Sequence, residues 1–389
     1  MKNADVVILG AGIVGAACAL QLTQLGLKVL VIDRGAIASG TTGSGEGNIL
    51  LSDKEPGAEL TLALRSRNAW FELSEDIGGG FELEAKGGVV VARSSEGIKE
   101  LMALASKQRV AGVEVEEVES DRLQELEPYI AKEIPAGVLY PGDAQCQPML
   151  ATARILQVVK EQGGQISPET NVTGILVSNA AVTGVETSRG RFSCAVVVNA
   201  GGTWAGDIAA MAGSFLPIAP RKGFILVSVP TPHLIRHKVY DADYVANVAS
   251  DDAGIQSSAV VESTRSGTIL IGASRQRVGF NTNFDVSVIK LLATQAIALF
   301  PVLKKVQLMR AYYGFRPYAP DHLPVIGEDP LIKGLWHAAG HEGAGIGLAP
   351  ATAELIGAQI VGSDTFMDAE SFSPSRFYFE GRPRMDLIS

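Results

Sequence analysis

Apolar and polar positions follow a strand, turn, helix and strand order at the start of the chain. The apolar run Val6–Leu9 is followed by a glycine-rich turn over residues 10–15. Residues 16–22 then carry apolar side chains at the three- and four-residue spacing of a helix face. A second predicted strand, over residues 28–32, leads directly to Asp33. This order predicts two parallel strands joined by a helix, with glycines where the first strand ends.

Apolar spacing also predicts elements further along the chain. The predicted helices cover residues 58–76, 147–162 and 287–300, and the predicted strands cover residues 87–92, 172–177, 181–187, 191–194, 195–199, 224–229 and 268–271. Residues 215–314 are rich in β-branched alternation, which indicates an antiparallel sheet with helices. Two further strands run into glycine-rich turns, at residues 195–204 and 336–350. Three such turns from distant parts of the chain predict one long ligand, although the turn at 195–204 could also be only a tight turn.

Composition and charge exclude several classes of protein. A chain of 389 residues is long enough for two domains, and no apolar run approaches the roughly 18 residues of a membrane helix. The first apolar stretch enters the glycine turn rather than a secretory cleavage site, so we expect a cytoplasmic protein. The net charge of −9 disfavours nucleic acid as a partner. The three scattered cysteines, Cys18, Cys146 and Cys194, favour neither a disulfide framework nor a metal site.

The first glycine turn has the residue types that a dinucleotide needs. Gly10 allows a tight turn, Gly12 allows close approach to a pyrophosphate, and Gly15 allows the helix to lie near the strand. The positive end of the helix faces the phosphates. Asp33 is placed to bind an unphosphorylated ribose. The pattern does not distinguish NAD from FAD.

The chain resembles the FAD-dependent D-amino acid oxidase superfamily over nearly its whole length. The resemblance rests on five segments: residues 10–33, 198–204, 314–327, 339–350 and 372–377. It implies an α/β fold in which a doubly wound, Rossmann-like FAD-binding domain is interleaved with an α+β substrate domain carrying an antiparallel sheet. The FAD-binding domain is expected to comprise residues 1–85, 147–214 and 315–389, and the substrate domain residues 86–146 and 215–314.

The resemblance also implies FAD as the cofactor and the residues that bind it. By analogy, the first glycine turn holds the pyrophosphate, Val172 contacts the adenine through its backbone, and the loop after Ser39 lies on the flavin side. The expected cofactor-binding residues are Gly10, Gly12, Ile13, Val14, Gly15, Asp33, Arg34, Thr41, Thr42, Ser44, Gly47, Val172, Ala200, Gly201, Trp204, Gly340, Gly343, Ala344, Gly345, Ile346 and Gly347.

Two side chains are the candidates for catalysis. Amine oxidation moves a hydride from the carbon next to nitrogen to flavin N5 and leaves negative charge near N1, which free N–H groups of the 340–347 turn can stabilise. Arg316 can bind a substrate carboxylate through two parallel hydrogen bonds, or it forms a structural salt bridge. His341 contacts flavin or substrate, or it orients the turn. An aromatic cage or hydroxyl for the substrate, or only core packing, could come from Tyr240, Tyr244, Tyr312 and Tyr313.

Two departures from the glycine oxidase pattern favour a dehydrogenase. Glu342 and Gly343 follow the motif histidine where glycine oxidase has a large residue and an arginine. Residues 45–48 resemble flavin subunits of hetero-oligomeric dehydrogenases for D-hydroxyproline or opines. We therefore expect a small amino or imino acid substrate of hydroxyproline, opine or D-amino acid type, a separate electron acceptor and partner redox subunits. The alternatives are a glycine- or sarcosine-type oxidase that releases hydrogen peroxide, and a noncatalytic flavin relay subunit.

Overall fold

A computed structural model describes residues 2–242 and 254–388 of the chain. Within these residues the helices are α1 Ile13–Gln24, α2 Ala58–Asp76, α3 Ser95–Val110, α4 Ser120–Leu126, α5 Pro148–Glu161, α6 Ala205–Ala210, α7 Val286–Leu299 and α8 Gly345–Val361. The strands are β1 Lys2–Asn3, β2 Val6–Leu9, β3 Val29–Ile32, β4 Asn48–Ile49, β5 Gly88–Ala92, β6 Glu116–Glu119, β7 Ala136–Tyr140, β8 Ala144–Gln145, β9 Gln165–Ser167, β10 Val172–Ser178, β11 Ala181–Thr187, β12 Gly190–Ser193, β13 Val196–Asn199, β14 Ala219–Ser228, β15 Lys238–Asp241, β16 Gln256–Ser263, β17 Ile269–Arg275, β18 Leu308–Tyr318, β19 Val325–Glu328, β20 Leu335–Ala339, β21 Tyr378–Phe379 and β22 Arg382–Pro383.

A six-stranded sheet forms the centre of the first layer of the molecule. Its strand order is β19-β20-β13-β2-β3-β9, and every neighbouring pair is parallel except β19 with β20. All residues of β2 and β3 are buried, as expected for strands covered on both faces. Helix α1 packs against α5 and α8 beside this sheet. The carboxyl ends of β2, β3 and β13 therefore open toward one edge, where the predicted glycine turns lie.

The close contact between β2 and α1 depends on the absence of a side chain at Gly15. A Cβ at this position would lie 2.0 Å from the carbonyl oxygen of Gly10. No packing rearrangement relieves a clash with backbone at that distance, so the strand and the helix can approach this closely only with glycine here.

An eight-stranded sheet forms the second layer, in the order β18-β14-β17-β16-β15-β5-β7-β6. All neighbouring pairs are antiparallel except β15 with β5, and α7 packs on β14, β16 and β17. A smaller four-stranded sheet has the order β1-β12-β11-β10. The expected α/β class, with a doubly wound parallel sheet and an antiparallel sheet, is confirmed.

The strands of the two large sheets come from alternating parts of the chain. The six-stranded sheet uses residues between 6 and 32, 165 and 199, and 325 and 339, whereas the eight-stranded sheet uses residues between 88 and 140 and between 219 and 318. Strand β18 crosses the expected boundary at residue 314, and the domain limits themselves stay a prediction. Among the described helices, none combines the length and apolarity needed to cross a membrane.

Candidate active site

A cavity of about 400 Å³ lies between the carboxyl edge of the six-stranded sheet and one face of the eight-stranded sheet. Asn171 and Val172 line one part of it, and Gly223, Gly314 and Arg316 of β14 and β18 line another. The predicted site residues that line this cavity are Gly10, Gly12, Ile13, Val14, Asp33, Arg34, Thr41, Thr42, Ser44, Gly47, Val172, Ala200, Gly201, Trp204, Arg316, His341, Gly343, Gly345 and Ile346. Four glycine-rich segments and both catalytic candidates thus converge on one space.

Four predicted cofactor-binding residues do not line the cavity. Gly15 lies behind the first turn against Gly10, and Gly340 packs against Ile218 and Val325. Gly347 lies against β4, and Ala344 is the residue before the first turn of α8. The three glycines therefore pack against protein atoms behind the cavity wall rather than against the cavity itself.

The carboxylate of Asp33 is fixed by backbone groups at the end of β3. Its Oδ2 accepts a hydrogen bond from the N–H of Ala11 at 2.7 Å, and its Oδ1 accepts one from the N–H of Gly35 at 2.8 Å. Each carboxylate oxygen can accept a second hydrogen bond. Asp33 therefore ties the glycine turn to β3 and keeps acceptor capacity toward the cavity for a ribose hydroxyl.

Two threonines join the glycine-rich segments to the eight-stranded sheet, and a third joins the loop at residues 39–48 to α1. The hydroxyls of Thr41 and Thr203 both donate to the carbonyl oxygen of Phe315, at 2.9 and 2.8 Å. Thr42 Oγ1 accepts from the N–H of Ile13 at 3.0 Å, at the start of α1. Sequence reasoning missed Thr203, whose only signal is its place inside the second glycine turn. These bonds fix β18, and hence Arg316, relative to the cofactor side of the cavity.

The start of α8 presents backbone N–H groups to the cavity. No side chain caps this helix, and Gly343, Gly345 and Ile346 line the cavity. The first N–H groups of a helix have no partner within the helix, and the helix dipole makes this end positive. The arrangement can stabilise negative charge on a bound group.

Proline inside α8 explains how this helix start is held. Pro350 has no N–H, so the carbonyl oxygen of Ile346 lacks its usual helical donor. The indole N–H of Trp70, a fully buried residue of α2, donates to that oxygen at 3.0 Å. Ser66 donates to the neighbouring carbonyl of Gly347 at 2.7 Å. Helix α2 therefore anchors the first turn of α8 where it borders the cavity.

The guanidinium of Arg316 lies against the face of the eight-stranded sheet. Its Nη1 donates to the carbonyl oxygen of Ser274 at 2.8 Å. A Cβ on Gly223 would lie 2.1 Å from that nitrogen, so the absence of a side chain there makes room for the guanidinium. Arginine has five N–H donors in a planar fork. The bond to Ser274 orients this fork within the cavity wall.

His341 is a buried, neutral residue that borders the cavity. Its Nε2 pairs with Thr352 Oγ1 of α8 at 3.0 Å, and its carbonyl accepts from the N–H of Ala344 at 2.9 Å. Burial lowers the pKa of His341 to about 4. The side chain thus ties the turn to the helix that follows it, and its backbone closes the turn.

Glu342 forms a buried ion pair beside the cavity. Its Oε1 accepts from Arg221 Nη1 at 2.5 Å, and its Oε2 lies 3.0 Å from His322 Nδ1. Burial raises the pKa of Glu342, but the hydrogen bond from His322 and the charges of Arg221 and Arg275 outweigh it and lower the pKa to about 2. Sequence reasoning saw only that Glu342 changes the local charge, because its partners lie about 20 and 120 residues away.

Of the four tyrosines named in the sequence analysis, the three that the structure describes do not line the cavity. Tyr240 is buried and donates to Ser52 Oγ at 2.6 Å, and Tyr313 packs on Phe224 and Phe315. Tyr312 is likewise absent from the lining, and Tyr244 lies outside the described residues. Within residues 2–242 and 254–388, no group of three His, Cys, Asp or Glu side chains could hold a metal ion.

The cavity lining fits FAD. One end has an acidic residue at the ribose position and a glycine turn at the start of α1, the arrangement that binds the pyrophosphate of a dinucleotide. The other end has the uncapped start of α8 beside a sheet face with an arginine. Residues of the α1 turn would hold the pyrophosphate, and those of the α8 turn would face the flavin. Fold and site together define a dinucleotide-binding oxidoreductase.

Comparisons with known proteins identify the family. Residues 5–359 match the family model described as FAD dependent oxidoreductase, so the chain belongs to this family. The D-amino acid oxidase resemblance and the FAD cofactor expected from the sequence are both confirmed.

Relatives match over nearly the whole chain. The chain is 27% identical to hydrogen cyanide synthase subunit HcnC of Pseudomonas aeruginosa, over 97% of each protein. It is 28% identical to glycine oxidase of Geobacillus kaustophilus, over 96% of this chain and 97% of that protein. The solved structure of L-proline dehydrogenase from P. horikoshii superposes with a TM-score of 0.88 at 26% identity, covering 97% of this chain and 98% of that one. The chain is thus similar to FAD-dependent enzymes that act on amino acids.

Proposed function

We propose that this protein is an FAD-dependent dehydrogenase that oxidises the C–N bond of a small amino or imino acid. The observation that carries the proposal is the placement of Arg316, whose guanidinium is oriented by the carbonyl of Ser274 in the wall of the cavity that fits FAD. A guanidinium binds a carboxylate through two charge-assisted hydrogen bonds. Arg316 would thereby hold the α-carbon of the substrate at a fixed place in the cavity.

Other residues of the chain would support this chemistry. When bound, FAD supplies the two-electron acceptor that takes the hydride from the substrate carbon. The N–H groups of Gly343, Gly345 and Ile346 at the start of α8 would stabilise negative charge on the bound group. His341 is neutral above about pH 4, so its role here is to hold the turn through Thr352 rather than to supply a charge.

The substrate proposed is a secondary amine such as hydroxyproline or an opine, and the protein would work with partner redox subunits that receive its electrons. The name of one relative, L-proline dehydrogenase, describes an enzyme for a cyclic secondary amine, and another relative is named as a subunit. These names support the proposal by analogy. The domain limits and the cytoplasmic location expected from the sequence stay predictions.

A second candidate function is an oxidase that releases hydrogen peroxide. It is favoured by the 28% identity to glycine oxidase over 96% of this chain. A third candidate function is a noncatalytic flavin subunit that only relays electrons. This function does not explain an arginine in the cavity wall, because electron relay needs no residue that binds a carboxylate.

An anaerobic substrate screen tests the proposal. Holoenzyme is mixed with D- and L-amino acids, N-methyl amino acids, hydroxyprolines and opines, and bleaching of the flavin absorbance is recorded. We expect a secondary amino acid to bleach the flavin. With the same compound in air, an artificial electron acceptor should be reduced faster than hydrogen peroxide is released. Strong peroxide release would replace the dehydrogenase by the oxidase. Absence of bleaching by every compound would favour the relay.

A further inference from the structure

We infer that Trp70 and Ser66 of α2 are positioning residues that raise the reduction potential of the bound flavin by holding the first turn of α8. The inference rests on the proposed function, which places the flavin beside this turn. It adds two residues that do not line the cavity, and it concerns a property of the flavin that is measured without a substrate.

The first turn of α8 has three backbone N–H groups that form no hydrogen bond within the described part of the chain. They belong to Gly345, Ile346 and Gly347, whereas the N–H of Leu348 donates to the carbonyl of Ala344 at 2.9 Å. The N–H groups of a helix point toward its N-terminal end, which here borders the cavity. All three can therefore stabilise negative charge on a flavin bound there.

Trp70 acts on one of these N–H groups through the peptide unit that contains it. Pro350 has no N–H to donate to the carbonyl of Ile346, and Trp70 Nε1 donates to that oxygen instead, at 3.0 Å. This carbonyl and the N–H of Gly347 belong to the same planar peptide unit, over which electrons are delocalised. A donor on the oxygen therefore fixes the direction of the N–H and strengthens the hydrogen bond that the N–H can donate.

Ser66 holds the next peptide unit of α8. Its hydroxyl donates to the carbonyl of Gly347 at 2.7 Å and accepts from the N–H of Ala351 at 3.3 Å, so it lies between two groups that a regular helix joins directly. Ser66 and Trp70 are four residues apart on one face of α2, and both are completely buried. When Ser66 is lost, the carbonyl of Gly347 can bond to Ala351 directly, whereas the carbonyl bound by Trp70 faces a proline. Trp70 should therefore have the larger effect.

These contacts favour the reduced form of the flavin over the oxidised form. Two-electron reduction leaves negative charge near flavin N1, and N–H groups that are already fixed in direction stabilise such charge without having to reorient. The oxidised ring is neutral, so the same groups stabilise it less. The difference appears as a higher reduction potential, to which Trp70 and Ser66 contribute through the backbone of α8.

The reduction potential of the holoenzyme tests the inference. The flavin is reduced slowly without oxygen beside a reference dye of known potential, and the ratio of reduced to oxidised flavin is compared with that of the dye. In Trp70→Phe, which keeps an aromatic ring but loses the N–H, we expect the equilibrium constant for reduction to fall at least about threefold, or about 14 mV for two electrons. In Ser66→Ala the constant should fall less. Phe81→Leu is the matched control, because Phe81 packs on the Trp70 ring at a centroid distance of 5.8 Å and its side chain donates no hydrogen bond. This variant should leave the constant unchanged.

The outcomes separate this inference from the proposed function. If the constant is unchanged in Trp70→Phe, or falls equally in Phe81→Leu, the inference is wrong and the proposed function stands, because the substrate screen tests that function independently. If wild-type protein holds FAD at the potential of the free cofactor, the inference is wrong, and so is the charge-stabilising role proposed for the start of α8. Should Trp70→Phe fail to fold or to retain FAD, Ser66→Ala takes its place. The constant must then fall at least about twofold, and an unchanged constant overturns the inference.

Discussion

The two ends of the cavity are built in different ways. At the cofactor end, short contiguous segments present backbone N–H groups, and Asp33 and Thr42 hold them in place through main-chain bonds. At the substrate end, charged side chains from distant strands and loops meet, as Arg221 of β14 does with Glu342. The cofactor end therefore depends on backbone geometry that one added methyl group can destroy. The substrate end depends on which charges are present, and should tolerate changes of shape better than changes of charge.

The largest effect is expected from adding a methyl group at Gly15. In Gly15→Ala the new Cβ would lie 2.0 Å from the carbonyl of Gly10, which forces α1 away from β2. We expect loss of bound FAD and destabilisation by several kcal/mol, in the range of overpacked core substitutions. The ratio of flavin to protein absorbance and the thermal unfolding midpoint measure the two effects.

Two further alanine variants separate strand-helix packing from ligand contact. Gly12→Ala places its Cβ in the cavity lining, 3.1 Å from Thr42 Oγ1, and should weaken FAD binding with less effect on the apoprotein. Gly174→Ala is the control, because its Cβ meets no atom within 4 Å and its φ is not positive. Equal flavin content in Gly15→Ala and Gly174→Ala would contradict the backbone account of the cofactor end.

At the substrate end, the largest effect is expected from neutralising Glu342. Glu342→Gln removes the carboxylate that pairs with the guanidinium of Arg221, which is 1% exposed. Removing one partner of a buried pair costs about 3–5 kcal/mol, and the amide retains part of the hydrogen bonding, so we expect destabilisation of about 3 kcal/mol. Chemical denaturation of the holoenzyme measures it.

An exposed ion pair provides the comparison for Glu342. Glu116 lies 3.3 Å from Arg122, and about half of each side chain is exposed. Exposed pairs contribute about 0–1 kcal/mol, so Glu116→Gln should be nearly silent. A similar loss of stability in both variants would mean that the buried ion pair at the substrate end contributes no more to the free energy of unfolding than an exposed pair does.

The difference between the two ends of the cavity also explains which parts of the site could be predicted from the sequence. The first glycine turn and Asp33 lie within 24 residues of one another, and their spacing is dictated by a strand, a turn and a helix, so local pattern was sufficient. The extent of α2, Ala58–Asp76, likewise follows from helical apolar spacing. Helix α3 and strand β7 lie in a stretch, residues 93–146, for which no pattern was interpreted.

Side-chain partners at the substrate end could not be predicted. The bond from Arg316 to Ser274 depends on the register of β14, β17 and β18, and one residue of slip would turn these side chains to the other face. The role of Gly223 depends on the same register, because its missing side chain makes room for the guanidinium only when the two strands are paired in this way. Cross-strand register is set by the whole sheet, and no short motif encodes it.

A smaller change at the substrate end is Arg316→Lys. It keeps the charge but loses the planar fork, so an acidic substrate would be held by one hydrogen bond rather than two. We expect kcat/KM for the best amino acid of the screen to fall about 10- to 100-fold, with unchanged flavin content. Arg310→Lys, on the exposed beginning of the same strand, should leave kcat/KM within twofold. Unchanged turnover in Arg316→Lys would contradict the role of Arg316 in binding the substrate carboxylate.

The smallest effect is expected at His341, beside the start of α8. A buried histidine whose pKa is lowered to about 4 in the folded protein and is about 6.5 in the unfolded chain takes up its proton only on unfolding between these values. Stability is therefore full above about pH 6.5 and is lost as the pH falls toward 4. Between pH 7.5 and 5.5 the loss in the free energy of unfolding amounts to about 1 kcal/mol.

The variant His341→Gln tests this loss. It keeps a donor for Thr352 but cannot titrate, so the loss of stability over this range should be smaller by that amount than in wild type. Because the two proteins differ only at residue 341, the difference between the two pH profiles of unfolding free energy isolates His341. Parallel profiles would mean that this ring is already protonated or solvated in the folded protein, and that the turn at the start of α8 is not held by a neutral imidazole.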